Sequence, residues 1–408
     1  MAALDSAATN GHDAIVVGAG PAGLATAAEL QRRGLTALVL ERGDGPGAAW
    51  AHHYDRLRLN TVRSTAGLPG RRLPRRTGRW PSRDDVAAYL RDYAGRRRLT
   101  VRSGVTVRTI APGRDGGWIV ETSAGPLAAP IAVVATGTCS VPHTPDWPGR
   151  SGFAGEVAHA AGYRDAAPYR GRDVLVAGAG NSGAEIALDL AEGGAARVRL
   201  AVRTPPQIVP RTVLGVPTVL VAIGTRRLPA GVGDRIMRGL QRRAVGDLSS
   251  YGLPLPAESI SASYAASGVV PISVPGFADA VRSGRIEVVG PLRRFAGPRV
   301  AVGDAWIVPD AVIAATGYRA DLAALLGAGS PALDAGGRPV VGGGLPVPAA
   351  PGLFLVGFAN PLTGNLREIR LEARRLGRAA AAYCAVASAS APVAADDPLC
   401  DPRLTPIV

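Results

Sequence analysis

Two clusters of glycine, each followed by a charged residue, are the parts of this 408-residue chain best suited to chemistry. The first is Gly18-Ala19-Gly20-Pro21-Ala22-Gly23, with Glu41 about 20 residues beyond the glycines. The second is Gly178-Ala179-Gly180-Asn181-Ser182-Gly183, with Arg203 at the matching place. Such spacing serves a pyrophosphate. The first glycine permits a sharp turn, the second lets a phosphate approach the backbone, and the third lets a helix pack on a strand. The phosphate then meets the positive N–H end of that helix. The two terminal charges differ in sign. A carboxylate at Glu41 accepts hydrogen bonds from free ribose hydroxyls and repels a 2′-phosphate, whereas a guanidinium at Arg203 pairs with one. Two different dinucleotides are therefore expected, and the second site should prefer NADPH. The alternative for Arg203 is a solvated strand end.

The remaining inventory excludes several chemistries. All 46 residues counted as Lys or Arg are arginine, which rules out a lysine Schiff base or nucleophile. Cys139, Cys384 and Cys400 form no C-x-x-C pair, so neither a redox dithiol nor a zinc site is expected. The five histidines show no ligand spacing, and no metal is expected. The net charge of +14 raises nucleic acid as a partner. Yet the arginines are scattered among acids, without a basic helix or an aromatic platform, and no nucleic-acid partner is expected. Val213 to Ile223 is broken by Gly215 and Pro217, and no run is long enough to span a membrane. Met1 to Asp13 lacks a basic flank followed by an apolar core. A cytoplasmic enzyme acting on a small molecule is the expectation, with oligomeric state left open.

The elements that must position these residues are legible in outline. Ala14–Val17 reads as a strand, a helix follows with Leu24, Ala27, Ala28 and Leu30 on one face, and Ala37–Leu40 is a second strand. Arg63 to Pro81 reads as a long irregular segment of the kind that is usually functional. Ser82 opens a helix with Asp85 as capping partner. Val105 to Ile110 and Trp118 to Thr122 alternate like strands around a turn at 113–117. Ile131-Ala132-Val133-Val134 runs into Ala135-Thr136-Gly137, and Ala311-Val312-Ile313-Ala314 runs into Ala315-Thr316-Gly317-Tyr318. This repeat fits two similar dinucleotide folds, each with the same returning strand. Val174–Ala177, a helix through Leu190 and Val198–Val202 make the second unit. Asp234 to Ala244 looks helical, Tyr251 to Pro275 reads as a loop near the domain junction, and Leu353–Gly357 is a further buried strand. A helix is expected from about Leu366 to Tyr383, and Ala385 onward reads as a tail.

The fold class is thus α/β, with two Rossmann-like dinucleotide-binding domains, the second inserted in the first. The expected boundaries are 12–148 and 304–384 for the FAD domain, 149–303 for the NADPH domain, and 385–408 for the tail. Two such folds suggest hydride passing from a nicotinamide to a second redox cofactor. FAD fits the earlier site, and without a dithiol the natural acceptor is oxygen. In such a flavoprotein Asn365 and Leu366, at a helix start, would sit against the flavin.

One segment makes a resemblance specific. Phe153-Ala154-Gly155-Glu156-Val157-Ala158-His159-Ala160-Ala161-Gly162-Tyr163 is similar to the F-x-G-x-x-x-H-x-x-x-[FY] fingerprint of class B flavin-dependent monooxygenases. It lies between the two glycine loops, as in that family. Tyr54 to Leu59, Gly246-Asp247, Tyr251-Gly252-Leu253 and Leu355-Val356-Gly357-Phe358 most resemble the plant YUCCA monooxygenases and their bacterial relatives. The resemblance implies FAD, NADPH and O2, with oxygen captured as a flavin C4a-(hydro)peroxide and one atom inserted into a small molecule. The reaction would be N- or S-oxygenation, or oxidative decarboxylation of a 2-oxo acid. YUCCA proteins usually carry histidine where this chain has Asn60; asparagine there resembles the N- and S-oxygenating members, in which it lies beside the reactive face of the flavin. Tyr163 in place of tryptophan argues against Baeyer–Villiger members. The expected cofactor contacts are Gly18, Gly20, Pro21, Ala22, Gly23, Glu41, Arg42, Trp50, Asn60, Thr136, Gly137, Gly178, Gly180, Asn181, Ser182, Gly183, Arg203, Thr316, Gly317, Tyr318, Asn365 and Leu366, with Asn60 also catalytic. His159 is expected to order the linker rather than move protons. Competing expectations are an NAD(P)H oxidase or reductase on the same scaffold, and a non-catalytic flavin-binding redox sensor.

Overall fold

A computed structural model describes residues 8–9, 11–114, 116–225 and 230–390. Cys400, residue 115 of the expected turn and most of the expected tail lie outside the described residues. In chain order, β1 (Ala14–Val17), α1 (Pro21–Gln31) and β2 (Ala37–Leu40) open the fold, followed by α2 (Arg83–Arg97) and β3 (Thr100–Arg102). The hairpin strands β4 (Val107–Pro112) and β5 (Trp118–Thr122), then β6 (Leu127–Ala129), lead to β7 (Ile131–Val134). The second unit holds β8 (Glu156–His159), β9 (Asp173–Ala177), α3 (Asn181–Glu192), β10 (Arg197–Ala201), α4 (Thr218–Thr225), α5 (Ala230–Val245), α6 (Ile260–Ser267), β11 (Glu287–Val289) and β12 (Ala311–Ala314). The chain returns through β13 (Leu353–Leu355) and α7 (Asn365–Ser390).

Two parallel five-stranded sheets carry the architecture. The first runs β3-β2-β1-β7-β13, and the second β11-β10-β9-β12-β8. In each, the glycine loop leaves the middle strand and the returning Ala-Thr-Gly strand lies beside it. The strand order therefore reverses next to each loop, and ligands of open α/β sheets bind in the crevice at that place. The second sheet is inserted between β7 and β13 of the first. All four residues of β1, β7, β12 are buried, as parallel strands covered on both faces require.

Small residues set the spacing of the first unit. Ala25 and Ala28 of α1 share a core with Ala373, Leu376 and Ala380 of α7. A side chain at Gly377 would run into Arg33 Nη1 at 2.8 Å and Glu29 O at 3.1 Å. The irregular segment before α2 is pinned by tyrosines as well as by isolated backbone bonds such as Arg63 N–H to Arg79 O at 3.1 Å. Tyr89 accepts from the Leu68 N–H and donates to the Arg71 carbonyl, both at 2.8 Å, and Tyr93 donates to Pro69 O at 2.8 Å. The capping box at the start of α2 is formed: Asp85 accepts from the Ser82 N–H at 2.9 Å and Ser82 Oγ accepts from the Asp85 N–H at 3.2 Å.

Three expectations need correction. Strand β12 pairs with β8 and β9, so the second unit continues past 304 and the chain leaves it only after Ala314. The stretch Tyr251 to Pro275 is not all loop: it holds α6, whose Ser259 Oγ accepts from the Ala262 N–H at 3.1 Å, so the serine caps a helix. Helix α7 extends to Ser390, past Tyr383 and past the expected start of the tail at Ala385, because its alanine-rich run meets no glycine or proline. Among the described residues no helix is long and apolar enough to cross a membrane.

Candidate active site

The two glycine loops obey the same steric constraints. Gly18 has φ +106°, and a Cβ there would lie 2.8 Å from Ala135 O; Gly178 has φ +116°, and a Cβ would lie 2.4 Å from Ala315 O. A Cβ on Gly23 would fall 1.8 Å from Gly18 O, and one on Gly183 would fall 1.9 Å from Gly178 O. The outer glycines are thus demanded by the protein itself. The middle glycines are not: a Cβ on Gly20 or Gly180 meets no protein atom within 4 Å. That open cradle, at the N-cap of α1 and of α3, is where a pyrophosphate would rest. Pro21 and Ala22 begin α1, and Asn181 and Ser182 begin α3.

Around the first loop the other expected residues assemble. Glu41 accepts from the Ala19 N–H through Oε2 and from the Gly43 N–H through Oε1, both at 2.8 Å. It therefore braces the loop while each oxygen keeps a lone pair for ribose. Thr136 and Gly137 follow the strand that touches Gly18. The start of α7 closes over the same place, since a Cβ on Gly357 would lie 2.7 Å from Ala22 Cβ and one on Gly364 would lie 2.3 Å from Thr61 Cγ2. Leu366 is buried there. Thr136 Oγ1, Thr363 Oγ1 and Asn365 Oδ1 are buried without a hydrogen-bond partner. Buried polar atoms rarely stay unpaired, and these three fit a polar group such as the ribityl chain or ring edge of FAD. The turn carrying Trp50 docks on the loop through Gly47 N–H to Ala19 O at 3.0 Å. Trp50 itself meets His53 edge-on, and Arg42 is exposed, donating to Ser140 O at 3.3 Å; both stand at the margin of the site.

At the second loop Thr316 donates to His143 O at 2.5 Å, and Tyr318 meets His159 edge-on with ring centroids 5.2 Å apart. Arg203 is exposed at the end of β10 and engages no partner among the described residues, which leaves its guanidinium available to a phosphate. His159 is fully engaged. Its Nδ1 accepts from the Ala161 N–H at 3.0 Å, so the proton sits on Nε2, which donates to Gly317 O at 3.0 Å. Tyr163 is a core residue, stacked on Tyr169 and donating to Asp189 Oδ2 at 2.6 Å. A Cβ at Gly155 would lie 2.6 Å from the Phe153 ring, so the fingerprint's first residues pack on each other.

Asn60 joins the two sites. Its Nδ2 donates to Asn181 Oδ1 at 3.2 Å, and its Oδ1 accepts from Arg211 Nη2 at 3.0 Å. It ends a seam that runs along α3: the Tyr54 hydroxyl donates to buried Glu185, and Arg56 pairs with Glu192 and, at 3.6 Å, with Asp189. Burial pushes the Glu185 carboxyl above its ordinary range, and the same burial, with Glu185 beside it, pushes Tyr54 up. Sequence reasoning did not find this seam or Arg211. Their partners lie 121 to 151 residues away, and no local pattern marks them. A cavity of about 670 Å³ lies by Arg197 and Glu287, the amino ends of β10 and β11, away from both loops. A recess of about 310 Å³ lies beside the Asn60 segment, lined by Val62, Arg63, Ser64, Arg75, Gly78, Arg79, Pro217 and Leu220.

Two phosphate cradles at two sheet reversals, joined by a carboxamide, define a two-dinucleotide oxidoreductase, and comparison with known proteins makes it an oxygenase. The family described as pyridine nucleotide-disulphide oxidoreductase matches residues 15–213. The chain is 36% identical over 314 residues to indole-3-pyruvate monooxygenase YUCCA1 of Oryza sativa, covering 76% of this chain and 77% of that protein. It is 33% identical over 317 residues to the probable indole-3-pyruvate monooxygenase YUCCA1 of Arabidopsis thaliana, covering 76% of each. Among solved structures, a flavin-containing monooxygenase from Stenotrophomonas maltophilia superposes with a TM-score of 0.70 at 26% identity, covering 91% of this chain and 99% of that one. An oxidized steroid monooxygenase bound to NADP shares the fold, with a TM-score of 0.71 at 20% identity over 93% of this chain and 86% of that one. The chain belongs to the class B flavin-dependent monooxygenases, enzymes that work with FAD, NADPH and O2 on small molecules.

Proposed function

We propose that this monooxygenase oxidatively decarboxylates a small 2-oxo acid. The observation that carries the reading is charge. Arg63, Arg75 and Arg79 converge on the recess beside Asn60, and no carboxylate lines it. Arg63 donates to Leu73 O at 3.4 Å and Arg79 to Gly215 O, so each retains donors for a ligand. Val62, Pro217 and Leu220 supply an apolar wall. Convergent like charges favour an anion, and apolar walls favour an organic one. The two rice and Arabidopsis relatives are named for an indolic 2-oxo acid, which supports the same class.

FAD, when bound at the first crevice, supplies hydride acceptance and oxygen activation. The chain's own residues bind and orient. The Gly20 and Gly180 cradles seat the two pyrophosphates, Glu41 the flavin-side ribose, and Arg203 the 2′-phosphate of NADPH. Asn60 holds the reacting region from the flavin side while hydrogen-bonded to the start of α3. The net reaction balances as 2-oxo acid, O2, NADPH and a proton giving the acid one carbon shorter, CO2, water and NADP+. The FAD unit would comprise 12–148 and the chain after 314, with the NADPH unit between, in a cytoplasmic enzyme. Asn60 supports N- or S-oxygenation as the second reading, since asparagine at this position resembles the N- and S-oxygenating members. The test is NADPH consumption by purified protein against 2-oxo acids, amines and sulfides, with peroxide and CO2 measured. A 2-oxo acid should speed consumption and release CO2. Oxygenated amine or sulfide, with 2-oxo acids giving peroxide alone, would overturn the substrate assignment.

A further inference from the structure

We propose that Arg211 is a positioning residue for oxygenation, holding the Asn60 carboxamide in the one orientation that links the flavin unit to the start of α3. The inference rests on the reading of Asn60 as the oxygenation residue. A guanidinium has donors and no acceptor, so the Asn60 oxygen must face Arg211 Nη2, which lies 3.0 Å away. Asn60 Nδ2 is thereby aimed at Asn181 Oδ1, 3.2 Å away. The far end is equally fixed. Asn181 Oδ1 also accepts from the Ser273 N–H at 2.9 Å, and Asn181 Nδ2 donates to Pro271 O at 2.9 Å. A backbone N–H only donates and a carbonyl only accepts, so turning over Asn60 would break two bonds and turning over Asn181 three. One directional line runs from Arg211 through Asn60 and Asn181 to residues 271–273.

Arg211 is itself placed at some cost. Its guanidinium lies over the Trp80 ring, 4.9 Å from the centroid, its Nε is buried without a partner, and burial lowers its pKa. The carbonyls of Arg58 and Leu59 are 3.5 Å from Nη2, too far to bind it well. Asn60 Oδ1 is thus its best-placed acceptor. Asn181 lies within the second glycine loop as the first residue of α3, so a dinucleotide seated there is sensed at Asn60 through a single hydrogen bond.

The test compares R211M, which keeps packing on Trp80 but has no donor, with R211K, which keeps a charged donor. The readouts, on FAD-loaded protein, are product per NADPH, the anaerobic rate of flavin reduction and the KM for NADPH. R211M should cut product per NADPH several-fold, with peroxide making up the difference, while reduction rate and KM stay within about twofold; R211K should restore half or more of the coupling. In an N60L background R211M should add nothing. Unchanged coupling in R211M, additive loss in the double variant, or a tenfold rise in KM with coupling intact would overturn the proposal. Unchanged coupling in N60L alone would instead sink the reading of Asn60. Should R211M fail to retain FAD, the same comparison is made with R211L, which likewise has no donor.

Discussion

Gly18 and Gly20 are two residues apart and should answer alanine in opposite ways. At Gly18 an added Cβ meets Ala135 O at 2.8 Å on a backbone at φ +106°, so G18A should destabilise the fold by about 1–3 kcal/mol. At Gly20 no protein atom is near and the backbone is ordinary, at φ −77°. G20A should therefore keep the melting temperature of the flavin-free protein and lose flavin affinity, measured as retained FAD. Equal thermal loss in both would mean that the cradle is structural. Arg203 belongs to the same scale. Removing an exposed guanidinium from a phosphate forfeits about 1.5–3 kcal/mol of charge-assisted bonding, so R203S should raise the NADPH KM about ten- to a hundredfold. The KM for NADH should barely move. Parallel changes for both nucleotides would return Arg203 to the role of solvated strand end.

Among the elements, β8 and the turn after β12 are tied by His159, which holds Gly317 O and the Ala161 N–H as a neutral ring. Burial lowers its pKa below the ordinary 6.5, and the Gly317 bond only partly opposes this. His53 is lowered by burial as well. A base with a depressed folded-state pKa binds more protons when unfolded, so stability rises with pH across that window. The contribution is present above 6.5 and is lost as pH falls from 6.5 toward the lower folded values. Denaturant midpoints should fall on acidification from pH 7 to about 5, before most carboxylates titrate. H159Q, which lacks the titration, should flatten that slope; an unchanged slope would remove His159 as its source.

At the scale of the whole molecule, the units meet where residues 54–60 lie along α3. Tyr54→Phe strips the donor from buried Glu185 and should cost about 1–3 kcal/mol in thermal or denaturant unfolding. Glu185→Gln, which keeps an acceptor for the Tyr54 hydroxyl and carries no charge to bury, should cost less. How much of this was legible follows from range. The glycine loops, the paired Ala-Thr-Gly strands and the insertion of one unit in the other are written locally, because a phosphate approaching backbone and a strand buried on both faces each dictate residue types in sequence. The recess falls largely in the irregular segment Arg63 to Pro81, whose length and composition already mark it as functional; the seam and the bond of Arg211 to Asn60 depend on contacts between residues over a hundred positions apart, so residue type alone could not single them out. The second unit's end was set too early because β12 reads alike as the closing strand of either sheet, and only its pairing with β9 decides.

Oxygen insertion at the expense of NADPH through a bound flavin is tested most directly by supplying isotopically labelled O2 to the FAD-loaded protein with NADPH and a 2-oxo acid. One labelled oxygen atom in the shortened acid, with close to one product per NADPH consumed, is the predicted result. Peroxide equal to the NADPH consumed, with no labelled product from any 2-oxo acid, amine or sulfide, would contradict it.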